Sequence, residues 1–161
     1  MSRTEVLAGP APAAGPGEAE SPPTARMAVA VLALVGIFIS GYLALYKLGY
    51  LGVIQCGTGG CETVQASKYA YFLDVPVAVW GIGAYAAIFA LALLGVQPRW
   101  ARDRRVALGL SGMAGVGVLF SAYLTYLEAA VIHAWCRWCV ASAVVITLIF
   151  LLTLPGLRRA R

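Results

Sequence analysis

The run CRWCVASAVVITLIFLLTLPGL, residues 136–157, opens on Cys136 and Cys139 and continues from Trp138 through 20 residues without a charge. About 20 apolar residues at helical rise cross the hydrocarbon core of a bilayer. Residues 138–157 therefore read as a transmembrane helix with a CxxC pair in its first turn. Upstream the same signature recurs at residues 106–127, 75–98 and 27–46, none of which holds a charged side chain. The four runs occupy just over half of the 161 residues and leave no room among them for a folded aqueous domain. Composition agrees: 61% of residues are hydrophobic and 12% charged, against about 25% charged in an average soluble domain. The expected fold is an all-α integral membrane protein, a four-transmembrane-helix bundle with an outer loop between helices 1 and 2. A water-soluble enzyme is excluded, and so is a catalytic domain appended within these residues.

The net charge of +5 is explained by where the cations sit. Arg3 and Arg26 precede the first run; Arg99, Arg102, Arg104 and Arg105 lie between the second and third; Arg158, Arg159 and Arg161 follow the fourth. Nine of the 12 Lys and Arg thus share one side, and only Lys47, Lys68 and Arg137 fall on the other. The positive-inside rule puts both termini in the cytoplasm and residues 47–74 and 128–137 outside. A nucleic-acid partner would call for the cations on one folded face beside stacking aromatics, and none is expected. Residues 1–26 hold five of the eight prolines without an apolar period, which predicts a disordered cytoplasmic tail. The membrane domain is expected at residues 27–157, and a basic cytoplasmic C-terminus at 158–161. A cleaved signal peptide would carry an apolar core of about 7–15 residues, shorter than the first run, which is expected to stay. The small-xxx-small spacings Ser111 to Gly115 and Gly117 to Ser121 predict close helix packing.

All four cysteines fall on the outer side: Cys56 and Cys61 around a Gly-rich spacer, and Cys136 and Cys139 at the start of the fourth span. Three readings fit them: two structural disulfides bracing the loops, a four-thiolate zinc site, or a thiol–disulfide relay on an oxidising face. The relay is favoured. A helix N-terminus stabilises a thiolate at the CxxC, and Arg137 adds a cation. Gly57, Gly59 and Gly60 would let the loop pair meet an outside partner and then the CxxC. No metal is expected in this reading. Exchange moves electrons in pairs, and a membrane protein without a flavin or haem motif has lipid quinone at hand as the acceptor. Trp135 and Trp138 suit the interfacial belt and are also candidate walls of a quinone pocket. His133 is a candidate for a proton or quinone-binding role. Glu128 has a similar standing, or it pairs with Arg137 or Lys47. Asp74, just before Pro76, is a candidate cap for the second span.

Taken together, the cysteine pair in the first outer loop, Ser67 six residues past Cys61, the segment from Ser67 to Pro76, and the CxxC opening span four resemble the bacterial homologues of vitamin K epoxide reductase. The resemblance covers about residues 27–155. It implies a four-helix bundle around a quinone, with Cys56 and Cys61 as shuttle pair and Cys136 and Cys139 as active-site pair. By the resemblance Cys139 would face the quinone, Cys136 would exchange with Cys61, and Ser67 would lie near the active site. Two positions depart from the pattern: Asp74 stands where relatives commonly have glycine, and Ala143 stands where the vertebrate enzymes have a tyrosine. DsbB-type oxidases carry their CxxC in the first outer loop, the reverse of the order here. The expected function is a quinone-dependent membrane thiol oxidoreductase that drives disulfide formation in exported proteins. Electrons would pass from Cys56/Cys61 to Cys136/Cys139 to a quinone of ubiquinone, menaquinone or phylloquinone type. Some relatives carry a fused thioredoxin-like domain. Only a few residues follow span four here, so a separate thioredoxin-like protein on the outer face of a bacterial cytoplasmic membrane is the expected partner. The rivals are a quinone or vitamin K epoxide reductase as the main activity, and a non-catalytic membrane subunit with structural disulfides.

Overall fold

The computed structural model describes residues 23–57, 60–100 and 103–159. Four of its helices are long and apolar enough to cross a membrane, and the protein is a multi-pass all-α membrane bundle. Helix α1 is Pro23–Lys47. The expected tail therefore gives way to helix at residue 23, because proline is well suited to the first helical position, where its missing N–H has no partner to lose. The rest of the expected tail, residues 1–22, lies outside the described residues.

Between α1 and the second span the chain makes a short helix α2, Gly60–Ala66, and a 3-10 turn, Lys68–Ala70. A two-stranded hairpin follows, β1 Tyr71–Phe72 and β2 Val75–Pro76, with Tyr71 opposite Pro76 and Phe72 opposite Val75. Helix α3 is Val77–Val96, two residues shorter at its start than expected because Val75 and Pro76 are taken by the strand. Asp74 does not cap it. That residue sits in the hairpin turn with φ 61°, and Pro76 holds the cap position without a side-chain hydrogen bond.

Helix α4 is Arg104–Leu127, capped by Asp103, whose carboxylate accepts from the Arg105 N–H at 2.8 Å. It runs on as a π-helical turn, Glu128–Ile132, and stops where His133 takes left-handed geometry, φ 55°. Half of the expected outer turn is thus helix. Helix α5 is Arg137–Arg159 and absorbs Arg158 and Arg159, the start of the expected basic terminus; residues 160–161 lie outside the described residues.

The helices close a ring. Helix α1 packs most extensively on α3, α4 on α5 and α1 on α5, while the α3–α4 seam is the thinnest. Ile88, Ile149, Ala33, Ala92 and Ala114 are fully buried where these faces meet. The small residues act as expected: a methyl added at Gly117 would lie 2.8 Å from Ile146 Cγ1, and one at Gly115 3.3 Å from the Phe150 ring, so α4 and α5 approach closely. On the other side Gly36 of α1 lies directly against the Tyr85 ring.

Candidate active site

Cys56 and Cys61 are bonded to each other, with Cα atoms 5.9 Å apart. Cys61 belongs to α2, and both sulfur-bearing residues are buried. Gly57 has φ 71°, a left-handed conformation that an L side chain adopts only at a cost. The loop pair sits on the start of α5: Trp138 Nε1 donates to the Gln55 carbonyl at 3.0 Å and the Arg137 guanidinium to the Cys56 carbonyl at 3.5 Å. Lys47 holds the far end of α2 by donating to the Gln65 carbonyl.

Cys136 and Cys139 are free thiols. Cys136 immediately precedes α5, and its sulfur accepts the Cys139 backbone N–H at 3.4 Å. The thiol thus occupies the place where a helix leaves its first N–H groups unpaired. The hydrogen bond from the Cys139 side chain pulls the Cys136 thiol below the ordinary cysteine range; further N–H bonds from Cys139 and Trp138 help, against burial and the charge of Glu128.

Cys139 points the other way. It lines a partly open cavity of about 610 Å³ between α1, α3, α4 and α5, bordered by α2, the 3-10 turn and the hairpin. Phe72, Trp80, Met113, Val116 and Phe120 give it apolar walls, and Ser67, Tyr85, Glu128 and Ser142 place polar atoms on them. Ser67 reaches this cavity while its hydroxyl donates to the Val64 carbonyl at 2.7 Å. The size lies within the roughly 300–1,000 Å³ of small-molecule sites, and the apolar lining with few polar groups suits a ring-bearing lipid cofactor.

His133, Trp135 and Trp138 do not line the cavity. His133 and Trp135 are exposed in the link before α5. Trp138 is turned toward the loop, tilted against Tyr42 with ring centroids 4.9 Å apart. This corrects the reading of Trp135 and Trp138 as pocket walls and keeps His133 out of the cavity: the link faces outward, Trp138 turns toward residues 55–56, and the aromatics facing the cavity come from the 3-10 turn, the hairpin, α3 and α4.

Glu128, the other candidate for a proton or quinone-binding role, does reach the cavity. It is 3% exposed. Its carboxylate accepts the Cys136 N–H at 3.0 Å, and the carboxylate and both sulfurs lie within 4.8 Å of one another. It forms none of the ion pairs with Arg137 or Lys47 that its position in sequence allowed. The signal was present: an ionisable residue within a membrane-spanning helix faces function far more often than lipid.

A family model described as the vitamin K epoxide reductase family matches residues 27–154, nearly the whole described bundle. The chain belongs to the vitamin K epoxide reductase family. The vitamin K epoxide reductase family comprises membrane thiol oxidoreductases of quinone or vitamin K type, and this protein is an oxidoreductase of that class. Quinones are the cofactors of the family. In this vitamin K epoxide reductase family member, a cavity of a size to hold such a cofactor is lined by Cys139.

Proposed function

We propose that the protein generates disulfides on the outer face of a bacterial cytoplasmic membrane by reoxidising a separate thioredoxin-like protein, with Cys56, Cys61, Cys136 and Cys139 as its redox residues. One observation carries the reading: the first turn of α5 holds the backbone of the disulfide loop at Gln55 and Cys56 through Trp138 and Arg137 while its Cys139 lines the apolar cavity. Electrons passed from the loop to Cys136 by thiol–disulfide exchange thus need cross only one helical turn, to Cys139, to reach the cavity. Both termini lie in the cytoplasm in this reading, since nine of 12 cations share that side.

The partner's dithiol reduces Cys56–Cys61, giving two thiols here and a disulfide there. The Cys61 thiolate attacks Cys136 of an oxidised CxxC, forming a Cys61–Cys136 bond and expelling Cys139 as thiolate. Cys56 then attacks Cys61, restoring the loop disulfide and releasing Cys136. A quinone bound in the cavity supplies a sink for two electrons and takes up two protons. Cys139 faces that sink, the aromatics of the hairpin and of α3 and α4 hold the ring, and Ser67 and Ser142 offer hydroxyls to its polar edge. Because Cys56 and Cys61 are both buried, an incoming thiol needs the segment around Gly57 to open first.

Purified protein supplied with a reduced thioredoxin-like protein and quinone should reduce the quinone. Cys139→Ala should abolish turnover and accumulate the Cys61–Cys136 mixed disulfide, seen as a shifted non-reducing peptide map. Full turnover by Cys136→Ala or Cys139→Ala would end the relay reading. A brace would show instead as lost thermal stability in every cysteine variant without a redox defect.

A further inference from the structure

The relay leaves one buried ionisable group without a task. Oxidising Cys136 and Cys139 to a disulfide removes two electrons and two protons, and the protons need a path as much as the electrons do. Cys136 is fully buried but precedes α5 on the outer-loop side, between the exposed residues Trp135 and Arg137, so its proton leaves on that side. Cys139 lies on the cavity side, among apolar walls. The titratable side chains sharing that cavity are Tyr69, Tyr85 and Glu128. Tyr85 is committed, its hydroxyl donating to the Ser142 carbonyl and meeting the Ser142 hydroxyl, each at 2.9 Å. Phenols are in any case poor bases near neutrality. His133, the other candidate for proton work, does not reach the cavity.

Glu128 is fixed at both ends of its residue. Its carbonyl accepts the Ala134 N–H at 3.1 Å, and its carboxylate accepts the Cys136 N–H at 3.0 Å. The π-helical turn that it opens is the kind of wide turn often found at functional sites. One carboxylate oxygen is used in the link to Cys136, and the group lies within 4.8 Å of the Cys139 sulfur. A hydrogen-bonded carboxylate against a thiol, open to the cavity on its far side, has the geometry of a general base.

We propose that Glu128 is the catalytic base that takes the proton of the Cys139 thiol as the Cys136–Cys139 disulfide closes and releases it into the cavity. The inference deepens the proposed function and rests on it. The balance is closed: the two sulfurs form one bond, two electrons leave to the quinone, the Cys139 proton travels by Glu128, and the Cys136 proton leaves on the outer-loop side while an equal one is taken up with the quinone's reduction.

Glu128→Gln is the discriminating variant, because its amide oxygen still accepts the Cys136 N–H but cannot hold the proton. The test is run first without quinone, in full-length protein carrying Cys56→Ala and Cys61→Ala, so that Cys136 and Cys139 are the only thiols. Oxidised glutathione is added; Cys136 attacks it, releasing one glutathione, and Cys139 then displaces the second as the pair closes. In Glu128→Gln the mixed disulfide should form at its normal rate and the closing step should slow by about a hundredfold, the usual size of a general-base contribution. Glu128→Asp should restore part of the rate. With the loop cysteines present, Glu128→Gln should lose quinone reduction to a similar extent while still forming the Cys61–Cys136 bond. A closing step unchanged in Glu128→Gln overturns the assignment. So does equal slowing of both steps, which is the mark of a distorted helix start. Where Glu128→Gln does not fold, the Asp variant decides: slower closing than in the parent supports the base, and an unchanged rate overturns it. Failure of the relay reading is separate and shows as absence of quinone reduction by the unmutated chain.

Discussion

At the scale of single residues, two cysteines three positions apart have been given opposite surroundings. Cys136 receives N–H groups from the turn that it caps, while the Cys139 thiol lies within 4.8 Å of both the Cys136 sulfur and the Glu128 carboxylate and faces an apolar cavity. The sign of the consequence follows. A thiol held below its ordinary value stays ionised to lower pH, so Cys136 keeps its nucleophilicity where a free cysteine, with a pKa of about 8.5, has lost it. In the Cys56→Ala, Cys61→Ala chain, methanethiosulfonate labelling of Cys136 should reach half its maximal rate below that pH. Adding Cys139→Ala removes the largest lowering cause and should move the profile upward. A profile that moves downward, or one that starts above the free-thiol value, would contradict this account of Cys136.

At the scale of elements, how much could be read from the sequence depended on whether a signal was local. The four apolar runs gave four helices because hydropathy over 20 residues is summed along the chain, and the CxxC fell at a helix start because Trp138 begins an uncharged run. The ends were harder. Residues 128–132 look like a turn because Glu128 interrupts the apolar pattern, yet they continue α4 as a π turn, since that carboxylate is satisfied from across the gap by Cys136. The cavity walls were misassigned for the same reason: Phe72 and Trp80 reach the pocket through the hairpin and the α3 register, which no local pattern encodes. The hairpin itself explains the departure at Asp74. Both Leu73 and Asp74 are left-handed, with φ 54° and 61°, a two-residue turn that favours Asn-Gly. Replacing Leu73-Asp74 with Asn-Gly should stabilise the protein by about 1 kcal/mol, read as a higher thermal midpoint in detergent with quinone reduction retained. A lower midpoint would show that the exposed Leu73 contributes more than its backbone strain costs.

At the scale of the whole molecule, the cavity is where the fold and the proposed chemistry pull in different directions. The ring of helices is tight at α1–α3 and α4–α5, where Gly36 lies against Tyr85 and Gly117 against Ile146, and loose at the α3–α4 seam beside the cavity. A partly open apolar cavity of about 610 Å³ forfeits contacts that a packed bundle would make, a loss of stability that the proposed quinone site accounts for. Gly112 of α4 lines this space, and a Cβ added there meets nothing within 4 Å. Gly112→Leu should therefore place a branched side chain into the void without displacing the bundle. Glycine within a helix also costs about 1 kcal/mol relative to better helix formers. Both effects favour the variant, so its thermal midpoint should equal or exceed that of the parent, while the KM for quinone rises at least about tenfold. The Cys61–Cys136 exchange, which takes place outside the cavity, should keep its rate. Unchanged quinone kinetics in a folded Gly112→Leu protein would mean that the acceptor binds somewhere other than against Cys139.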